Sequence, residues 1–462
     1  MAIQTISISS DEFLVNNRLS PKVFIINSYL NNFEKKNKFK CIKLGNPDLL
    51  LKMTDGEHAG QIFVKKGVKF IKNSDVRDFN INLSEDFYIS EEKHKILKRS
   101  SLKEGDILFT TIGHLGSAAL VPDNFGEANI NQNLVLIRIN EKIISKYFLV
   151  PYLNSRIVRK QIYAVLTGNI HSILTYPKIR NLRVFLPSIE FHNKIEKLYK
   201  EFIETEKASN DLIAEATKIF YENFFIDEKK NNHFEITNEA IKNGVQWTPK
   251  NFYPLYENTI YKIKNNYKGL FLKTEVLDIK NGEEPGSDYY VDYLNKNQND
   301  LPFIRTSDLI NHQIDLFPDN FIPYDIANDF MIDLKEGDVL FTKDGKIGST
   351  GMVVKNDVNL AILSAGISRI RLKKNSIITP EFLFLALTIK EVGFYQADKK
   401  TVIASTLPHF KEHQILNFII PQLDKITVNK ITDLIKEAFY KKNECKNLIN
   451  NIRNLMDNYY LI

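Results

Sequence analysis

The chain has 462 residues, of which 43% are hydrophobic and 26% are charged, proportions that exclude a disordered protein and are typical of a soluble globular one. A single hydrophobic core stops growing near ~250–300 residues, so this length predicts two to four domains. The net charge of +6 is mild, with acids and bases interleaved, and it permits nucleic-acid binding without establishing it.

Cysteine usage and apolar runs narrow the class of protein further. The two cysteines, Cys41 and Cys445, are too few for a disulfide scaffold or a cysteine-based zinc cluster, and they suit a reducing compartment. The opening residues MAIQTISISSDEFL lack a basic region followed by a long apolar region, so no signal peptide is expected. The best apolar run, Phe382–Leu387, is far shorter than the ~18–20 residues that span a bilayer. We therefore expect a cytoplasmic protein.

The two halves of the chain repeat one another. The matching segments, in chain order, are LSPKVF (Leu19–Phe24) with WTPKNF (Trp247–Phe252), FIKNSDV (Phe70–Val76) with FIRTSDL (Phe303–Leu309), LKEGDILFTTIGHLGS (Leu102–Ser117) with LKEGDVLFTKDGKIGS (Leu334–Ser349), and ANINQNLVLIRI (Ala128–Ile139) with AILSAGISRIRL (Ala361–Leu372). In the third pair, eleven of sixteen residues are identical. All four pairs keep an offset of 228 to 233 residues, which indicates one duplicated unit with short loop insertions.

Each copy begins with a β-rich part. The regions at roughly 38–187 and 265–421 contain short runs of Val, Ile, Leu and Phe separated by Gly, Asn, Asp and Pro, a pattern that predicts strands. Helical patches at Tyr147–Val165 and Pro380–Gln396 interrupt the strands. The sequence therefore predicts two tandem α+β domains with bent sheets.

A long helix is predicted after each domain. Positions spaced alternately by three and four residues form an apolar seam in both helices, in the same register. The seam residues are Ile195, Leu198, Phe202, Leu212 and Ile219 in the first helix, and Ile431, Leu434, Leu448, Ile452 and Leu455 in the second. A seam sustained over about four heptads predicts a coiled coil between the two helices. The alternative is that each helix packs only on its own domain.

The motif G-D-x6-G-x2-G occurs once in each copy, at Gly105–Gly116 and at Gly337–Gly348. It lacks the GK[ST] of a phosphate-binding loop and is followed by β-rich residues, so a strand entering a tight turn with positive-φ glycines is favoured. Within the turn, Thr111-Ile112 and His114 of the first copy become Lys343-Asp344 and Lys346 in the second. A fixed scaffold with different polar tips is typical of binding loops that change specificity.

The sequence offers little support for catalysis by this chain. A methyltransferase tetrapeptide of the [DN]PP[FY] type does not occur. Asp55, Glu57 and His58 could serve as metal ligands, but the matching segment at Asn281–Gly286 lacks the histidine. A polar turn or a DNA-facing loop is the favoured interpretation of this segment. We predict a binding protein with no catalytic residues, no metal site and no cofactor of its own.

Together these motifs resemble the specificity subunits of type I restriction–modification enzymes, over essentially the whole chain. The resemblance rests on RLSPKVF and WTPKNFY at the domain entries, TDGEH in the first domain, FIKNSDV and FIRTSDL, the doubled LKEGD[IV]LFT hairpin, and an N-L-x4-P exit into a helix. The family usually has Glu-Gln just after the exit proline, where this chain has Glu190-Phe191 and Asp424-Lys425. This departure affects the expected details of partner docking at the helix starts.

The resemblance implies that each domain is a target-recognition domain reading one half of a bipartite DNA site. The two long helices would pair antiparallel as a spacer. Two modification subunits that carry S-adenosylmethionine and methylate adenine would dock on this frame, and restriction subunits that use Mg and ATP could join them. The alternatives are a recognition subunit of another methylation-based defence system, a fused endonuclease or methyltransferase, and a scaffold that has lost DNA binding.

This interpretation divides the chain into four segments and selects DNA-contacting residues. The segments are the first recognition domain with an N-terminal segment (1–188), the first spacer helix (189–228), a linker with the second recognition domain (229–422), and the second spacer helix (423–462). Lysines and arginines would contact phosphates, and polar tips would read base edges. The predicted phosphate contacts are Lys65, Lys66, Lys69, Lys72, Arg77, Arg305, Lys343 and Lys346. The predicted base-reading residues are Thr111, His114, Asn131, Gln132, Asn133, Asp344 and Ser364, with Lys343 and Lys346 also in this role.

Overall fold

The computed structural model of the chain describes residues 21–37, 39–58, 61–82, 87–166, 173–226, 234–236, 248–292, 296–297, 299–358, 362–404 and 407–460. The chain forms two compact units, which we call unit 1 (Met1–Ile203 with Leu448–Ile462) and unit 2 (Glu204–Asn447). Residues 1–20 of the predicted first domain, and most of the predicted linker after residue 226, lie outside the described residues.

Unit 1 contains the elements that its sequence pattern predicts, short strands interrupted by helices. Its described strands are β1 (Cys41–Lys43), β2 (Leu50–Asp55), β3 (Val68–Ile71), β4 (Tyr88–Ile89), β5 (Ile107–Thr110), β6 (Ala118–Leu120), β7 (Ala128–Ile130), β8 (Leu134–Ile139) and β9 (Arg183–Phe185). Its described helices are α1 (Pro21–Asn37), α2 (Glu91–Ile96), α3 (Lys146–Leu153), α4 (Arg156–Val165) and α5 (Tyr176–Arg180), followed by the start of the long helix α6 (Ile189–Asn223).

Unit 2 repeats this arrangement. Its described strands are β10 (Leu270–Phe271), β11 (Val276–Asn281), β12 (Val291–Asp292), β13 (Leu301–Ile304), β14 (Leu309–Ile310), β15 (Gln313–Ile314), β16 (Asn320–Ile322), β17 (Val339–Thr342), β18 (Thr350–Met352), β19 (Ile362–Leu363), β20 (Ile367–Leu372), β21 (Val402–Ala404), β22 (Leu407–His409) and β23 (Ile419–Ile420). Its described helices are α7 (Pro254–Asn266), α8 (Leu272–Glu275), α9 (Tyr324–Ala327), α10 (Pro380–Thr388), α11 (Phe394–Lys400) and most of the long helix α12 (Lys425–Tyr459). None of the described helices is long and apolar enough to cross a membrane.

The sheets of the two units share one topology. A four-stranded sheet has the order β2-β8-β5-β6 in unit 1 and β11-β20-β17-β18 in unit 2. In addition, β3 pairs parallel with β7 in unit 1, as β13 pairs parallel with β19 in unit 2. The register of the edge strand shifts at Leu51 and at Leu277, and both leucines are 62% exposed. Such bulges bend a strand, so the predicted α+β domains with bent sheets are confirmed.

The two long helices pair antiparallel within each unit. In unit 2, the Ser209 hydroxyl of α6 donates to the Ala438 carbonyl of α12 at 2.9 Å. In unit 1, where α6 begins and α12 ends, the rings of Phe191 and Tyr459 stack with centroids 3.7 Å apart. Within unit 2, Glu206 of α6 lies next to Lys442 of α12 and Ser209 lies next to Ala438, so residue numbers fall along α12 as they rise along α6. The predicted antiparallel pairing is confirmed.

A buried ion pair interrupts the apolar seam in unit 2. The Lys442 ammonium lies 3.4 Å from a carboxylate oxygen of Glu206 and 3.3 Å from the amide oxygen of Asn210. Lys442 is fully buried and Glu206 is 7% exposed. Charged groups are buried only when they are paired, and a paired polar position fixes the register of two helices that apolar contacts alone would allow to slide.

Half of the predicted seam is shifted by one residue. Ile195, Phe202, Ile219, Ile431 and Ile452 are buried as predicted. The predicted positions Leu198, Leu212, Leu434, Leu448 and Leu455 are only partly buried, and the next residue is buried in their place: Tyr199, Ile213, Ile435, Ile449 and Met456. The reason is that each domain also packs against these helices, so the residues that face the domain are buried together with those that face the other helix. In unit 1, for example, the Tyr199 hydroxyl reaches the Phe79 carbonyl at 3.4 Å.

His312 is a buried titratable group in unit 2. It occupies the position that Phe79 has in unit 1, and both residues have positive φ, 68° and 71°. Its Nδ1 lies 3.0 Å from the Thr350 carbonyl oxygen, so the neutral ring can donate this hydrogen bond. Burial is the main cause that lowers the pKa of His312 from its ordinary 6.5 to about 4. The ring is therefore neutral in the folded unit at neutral pH.

The shifted seam can be tested with two neighbouring residues of α12. Ile435→Ala should lower the free energy of unfolding by ~2–5 kcal/mol, because it deletes buried methyl groups and leaves a cavity. Leu434→Ala, at the partly buried position, should cost clearly less. Urea unfolding of the two variants beside the wild type measures the difference. A larger loss for Leu434→Ala would restore the seam predicted from sequence and contradict the one described.

Unit 2 should lose stability in acid because of His312. Its pKa is depressed on folding, so its contribution is fully present above pH 6.5 and is lost as the pH falls from 6.5 toward 4, where the unfolded chain binds the extra proton. The loss should reach ~3 kcal/mol at most, since one pKa unit corresponds to ~1.4 kcal/mol. In His312→Phe, which copies Phe79, urea midpoints measured across this pH range should fall less steeply than in the wild type. The exposed His413→Gln serves as control, and an unchanged slope in His312→Phe would contradict the expectation.

Candidate nucleic-acid interface

An aspartate–arginine pair anchors the glycine hairpin of each unit. In unit 1, both carboxylate oxygens of Asp106 accept from Arg138, at 2.6 Å from Nε and 2.7 Å from Nη2. In unit 2, Asp338 and Arg371 make the same two bonds at 2.7 and 2.6 Å. The aspartates are 1% and 2% exposed. Two parallel charge-assisted hydrogen bonds fix both distance and orientation, so β5 is tied to β8 and β17 to β20.

The sequence around the aspartate explains why it occupies this position. Gly105 and Gly337 precede it with φ of 78° and 86°, a conformation that favours glycine. The carboxylate also accepts from the backbone N–H three residues earlier, at 2.7 Å from Lys103 and 2.8 Å from Lys335. The segment LKEGD is therefore a closed turn that delivers a buried carboxylate to the sheet, and the interpretation of the motif as a tight turn is confirmed.

A threonine closes the loop beyond each strand. The Thr110 hydroxyl donates to the His114 carbonyl and accepts from the Ser117 backbone N–H at 2.9 Å. Thr342 makes the same contacts with Lys346 and Ser349. The glycines of the loops have positive φ in both units. The backbone of the two loops is thus the same, and the residues between the threonine and the last glycine differ: tip 1 is Thr111–Leu115, and tip 2 is Lys343–Ile347.

Tip 1 lies against the segment that follows β7. Asn73 donates to the Ile112 carbonyl at 3.3 Å and accepts from the Asn131 side chain at 3.1 Å. The Thr111 hydroxyl donates to the Asn133 carbonyl at 3.0 Å. The neighbouring Gln132 donates its backbone N–H to the Glu57 carbonyl at 2.9 Å. The structure therefore brings together the residues predicted to read bases in unit 1, Thr111, His114, Asn131, Gln132 and Asn133, around one loop.

Tip 2 lies against the segment that follows β19 and against β22. The Lys343 backbone N–H donates to the Gly366 carbonyl at 2.8 Å, and Gly345 donates to Pro408 at 3.0 Å. Asp344 forms an isolated bridge with His409. Lys343 is 9% exposed, and its ammonium lies 3.6 Å from the Asp344 carboxylate. Lys346 is partly exposed, so it is the cation of this tip that is better placed to meet a ligand.

The other predicted phosphate contacts differ in accessibility. Lys65 and Lys66 are exposed. The ammonium groups of Lys69 and Lys72 lie over the rings of Phe125 and Phe87, at 4.9 and 3.2 Å from the centroids. The guanidinium of Arg305 binds the Asp308 and Asp319 carboxylates. Burial lowers the pKa of Arg305, but these two carboxylates outweigh burial and raise the pKa above its ordinary value.

Four predicted DNA-contacting residues are buried, and Thr111 and Lys343 of the tips are two of them. Arg77 is 5% exposed, and its Nη1 donates to the carbonyls of Ser74 and Val76 at 3.1 and 3.3 Å. Ser364 is 4% exposed, and its backbone N–H donates to the Ile304 carbonyl at 2.8 Å. Exposed polar loops and buried capping residues look alike in a single sequence, which is why pattern reasoning included these residues. Contact of these residues with DNA stays a prediction.

Two of the three possible metal ligands of the first domain, Asp55 and Glu57, have other partners. Asp55 accepts from Arg99 at 2.5 Å, and Glu57 accepts from Lys93 at 3.4 Å. Sequence reasoning did not find Arg99, nor His409 and Arg159, which contact tips 2 and 1. These residues lie far along the chain from the loops that they contact, so no local spacing pattern indicates them.

Comparisons with known proteins find a family match in the second half of the chain. Residues 271–452 match the family model of the type I restriction modification DNA specificity domain. The specificity subunit of the type I restriction enzyme EcoBI from Escherichia coli is 28% identical over 160 residues, which is 34% of this chain. The match also spans only 34% of that relative's length.

Two solved structures are similar over most of the chain. They are the HsdS subunit from Thermoanaerobacter tengcongensis, at 16% identity and a TM-score of 0.30, and a type I restriction–modification S subunit from M. genitalium, at 10% identity and a TM-score of 0.33. Each match covers 91% of this chain, with 96% and 95% of the respective structures.

The anchoring pairs should differ in their contribution to stability. Asp106→Ala leaves the Arg138 guanidinium without its carboxylate, and breaking such a pair costs ~3–5 kcal/mol. Asp338→Ala should lower the free energy of unfolding less, because Arg371 still donates to the Asp333 carboxylate at 2.9 Å. The measurement is denaturant unfolding, with proteolysis of partly unfolded chains to assign each loss to its unit. Equal losses in the two variants, or none in Asp106→Ala, would contradict this account of the hairpin anchors.

Proposed function

We propose that this chain is the DNA sequence-recognition subunit of a type I restriction–modification complex. Unit 1 and unit 2 would each bind one half of a bipartite site in double-stranded DNA. The observation that carries the proposal is the pair of glycine hairpins, which share every anchoring hydrogen bond described above and differ in their tips. The family match of residues 271–452 supports a specificity role for unit 2, and the internal repeat extends this role to unit 1.

Different tips on one frame would give an asymmetric site. Tip 1 carries the His114 imidazole, and Asn73 links the tip to the Asn131 amide; an imidazole and an amide can accept and donate at base edges. Tip 2 carries the Lys346 ammonium and the Asp344 carboxylate. Lysine suits the O6 and N7 acceptors of guanine, and a carboxylate suits the amino group of cytosine. The two halves of the site would therefore differ in sequence.

The chain would act without chemistry of its own. Two adenine methyltransferase subunits carrying S-adenosylmethionine would dock on it, and restriction subunits using Mg and ATP could complete the complex. The exposed Ile189 and Ile426, 71% and 82% exposed near the starts of α6 and α12, support docking at these two helix starts. The purified chain should therefore neither methylate nor cut DNA. Turnover by the chain free of other subunits, in assays with labelled S-adenosylmethionine or with Mg and ATP, would contradict the proposal.

The proposal can be tested with a pool of DNA duplexes whose centre is randomised. The full chain, alone and with a co-expressed methyltransferase partner, should enrich duplexes that carry two short specified blocks separated by an unspecified spacer. A rigid two-domain reader fixes the distance between its half-sites. Enrichment of a single continuous block, or of no sequence at all, would contradict the proposed function.

The roles of the tips can be separated with single substitutions. Lys346→Ala should weaken selectivity at one half-site and His114→Ala at the other, by ~1–3 kcal/mol for each lost base contact. Lys335→Ala, which removes an exposed lysine of the same hairpin, is the matched control. Binding is measured at fixed salt with duplexes altered in one half-site at a time. If Lys346→Ala weakens binding to all duplexes equally and flattens the salt dependence, the lysine contacts phosphate and does not read a base.

A further inference from the structure

Arg159 connects tip 1 to the interior of unit 1. It lies on α4, its side chain is 12% exposed, and one guanidinium nitrogen donates to the Leu115 carbonyl at the end of the tip. The other terminal nitrogen donates to an Asp78 carboxylate oxygen and lies 3.4 Å from the Ser117 hydroxyl. One planar group thus holds both the backbone of the tip and the serine that follows it.

Asp78 connects this arginine to the long helix α12. The Asp78 side chain is 5% exposed, and its second carboxylate oxygen lies 3.4 Å from Nη2 of Arg453. Burial raises the pKa of Asp78, but the two guanidinium groups outweigh burial and lower the pKa below its ordinary value. The carboxylate therefore stays ionised, and the chain of contacts from Arg453 through Asp78 and Arg159 to Leu115 persists at neutral pH.

In unit 2, the positions that correspond to Arg159, Asp78 and Arg453 hold uncharged residues. A Cβ added at Gly116 would lie 3.3 Å from Arg159 Nη1, and one added at Gly348 would lie 3.2 Å from a ring carbon of Phe394, so Phe394 stands where Arg159 does. The repeat likewise places Asn311 at the position of Asp78 and Thr217 at that of Arg453. The fold therefore does not require the charged network.

Stability alone does not account for the network either. Replacing a buried ion pair by apolar groups of similar size is often neutral or stabilising. In addition, Nε of Arg159 is buried without a hydrogen-bond partner among the described residues, which is a cost that a phenylalanine avoids. Unlike phenylalanine, the arginine donates a directional hydrogen bond to the backbone of the tip.

We propose that Arg159 is a positioning residue for recognition by unit 1, which sets the conformation of tip 1 from beneath without touching DNA. This inference rests on the proposed function. The groups that read a base must be held within about 0.5 Å of their productive geometry by the residues that support them. His114, the residue before Leu115, is thereby aimed by a group that is anchored on Asp78.

The test uses the full chain and the pool of randomised duplexes. Arg159→Phe, which copies Phe394, should reduce discrimination against base changes in one half-site by about tenfold or more, the size of a lost base contact. Discrimination at the other half-site should be unchanged. Arg156→Ala is the matched control, because it removes an exposed cation from the same helix, and it should leave both half-sites unchanged.

A variant that carries the unit 2 residue at all three positions separates a role in stability from a role in recognition. Asp78→Asn, Arg159→Phe and Arg453→Thr together remove the buried charges, so this variant should fold with a Tm close to that of the wild type and still lack discrimination at one half-site. If the folded triple variant discriminates at both half-sites, or if Arg159→Phe weakens binding to all duplexes equally, the inference is overturned. A wild-type chain that selects no sequence overturns the proposed function itself.

Discussion

A carboxylate with two arginine hydrogen bonds, buried at the base of each glycine hairpin, is the contact on which the rest of each unit depends. Asp106 with Arg138, and Asp338 with Arg371, join the strand that carries the hairpin to its neighbour in the central sheet. Because the pair fixes two strands in distance and direction, the loop beyond them has a defined starting point. The residues of the loop can then differ between the units while the fold stays the same.

The turns, the sheets and the helix pair could be predicted because the residues that indicate them lie close together in the sequence. Glycine before aspartate, glycines at fixed spacing, and alternating apolar residues on long helices are read within a few residues of one another, and the structure confirms the turns, the sheets and the antiparallel helix pair. The phase of the helix seam was not predictable in the same way. A helix of 3.6 residues per turn accepts spacings of three and of four, and the domain packed against it decides which residue of a pair such as Leu434 and Ile435 is buried.

Part of the candidate site could likewise be predicted from the sequence, and part could not. The residues around tip 1 were found from the repeat, since the two copies differ there against a constant background. Arg77 and Ser364 were included because a charge or a hydroxyl in a loop looks exposed in a sequence, although the structure buries both. Arg159 was not found because its partners, Asp78 and Leu115, are joined to it by tertiary contacts alone. Distant pairs of this kind cannot be seen in a single sequence.

The central claim is that the tips determine which bases each unit recognises. The most direct measurement replaces tip 1, Thr111–Leu115, with the residues of tip 2, Lys343–Ile347, in the full chain and repeats the selection from randomised duplexes. One half of the selected site should change, while the other half and the spacing between the halves stay as in the wild type. A selected site that is unchanged in both halves, or altered in both, would contradict the claim.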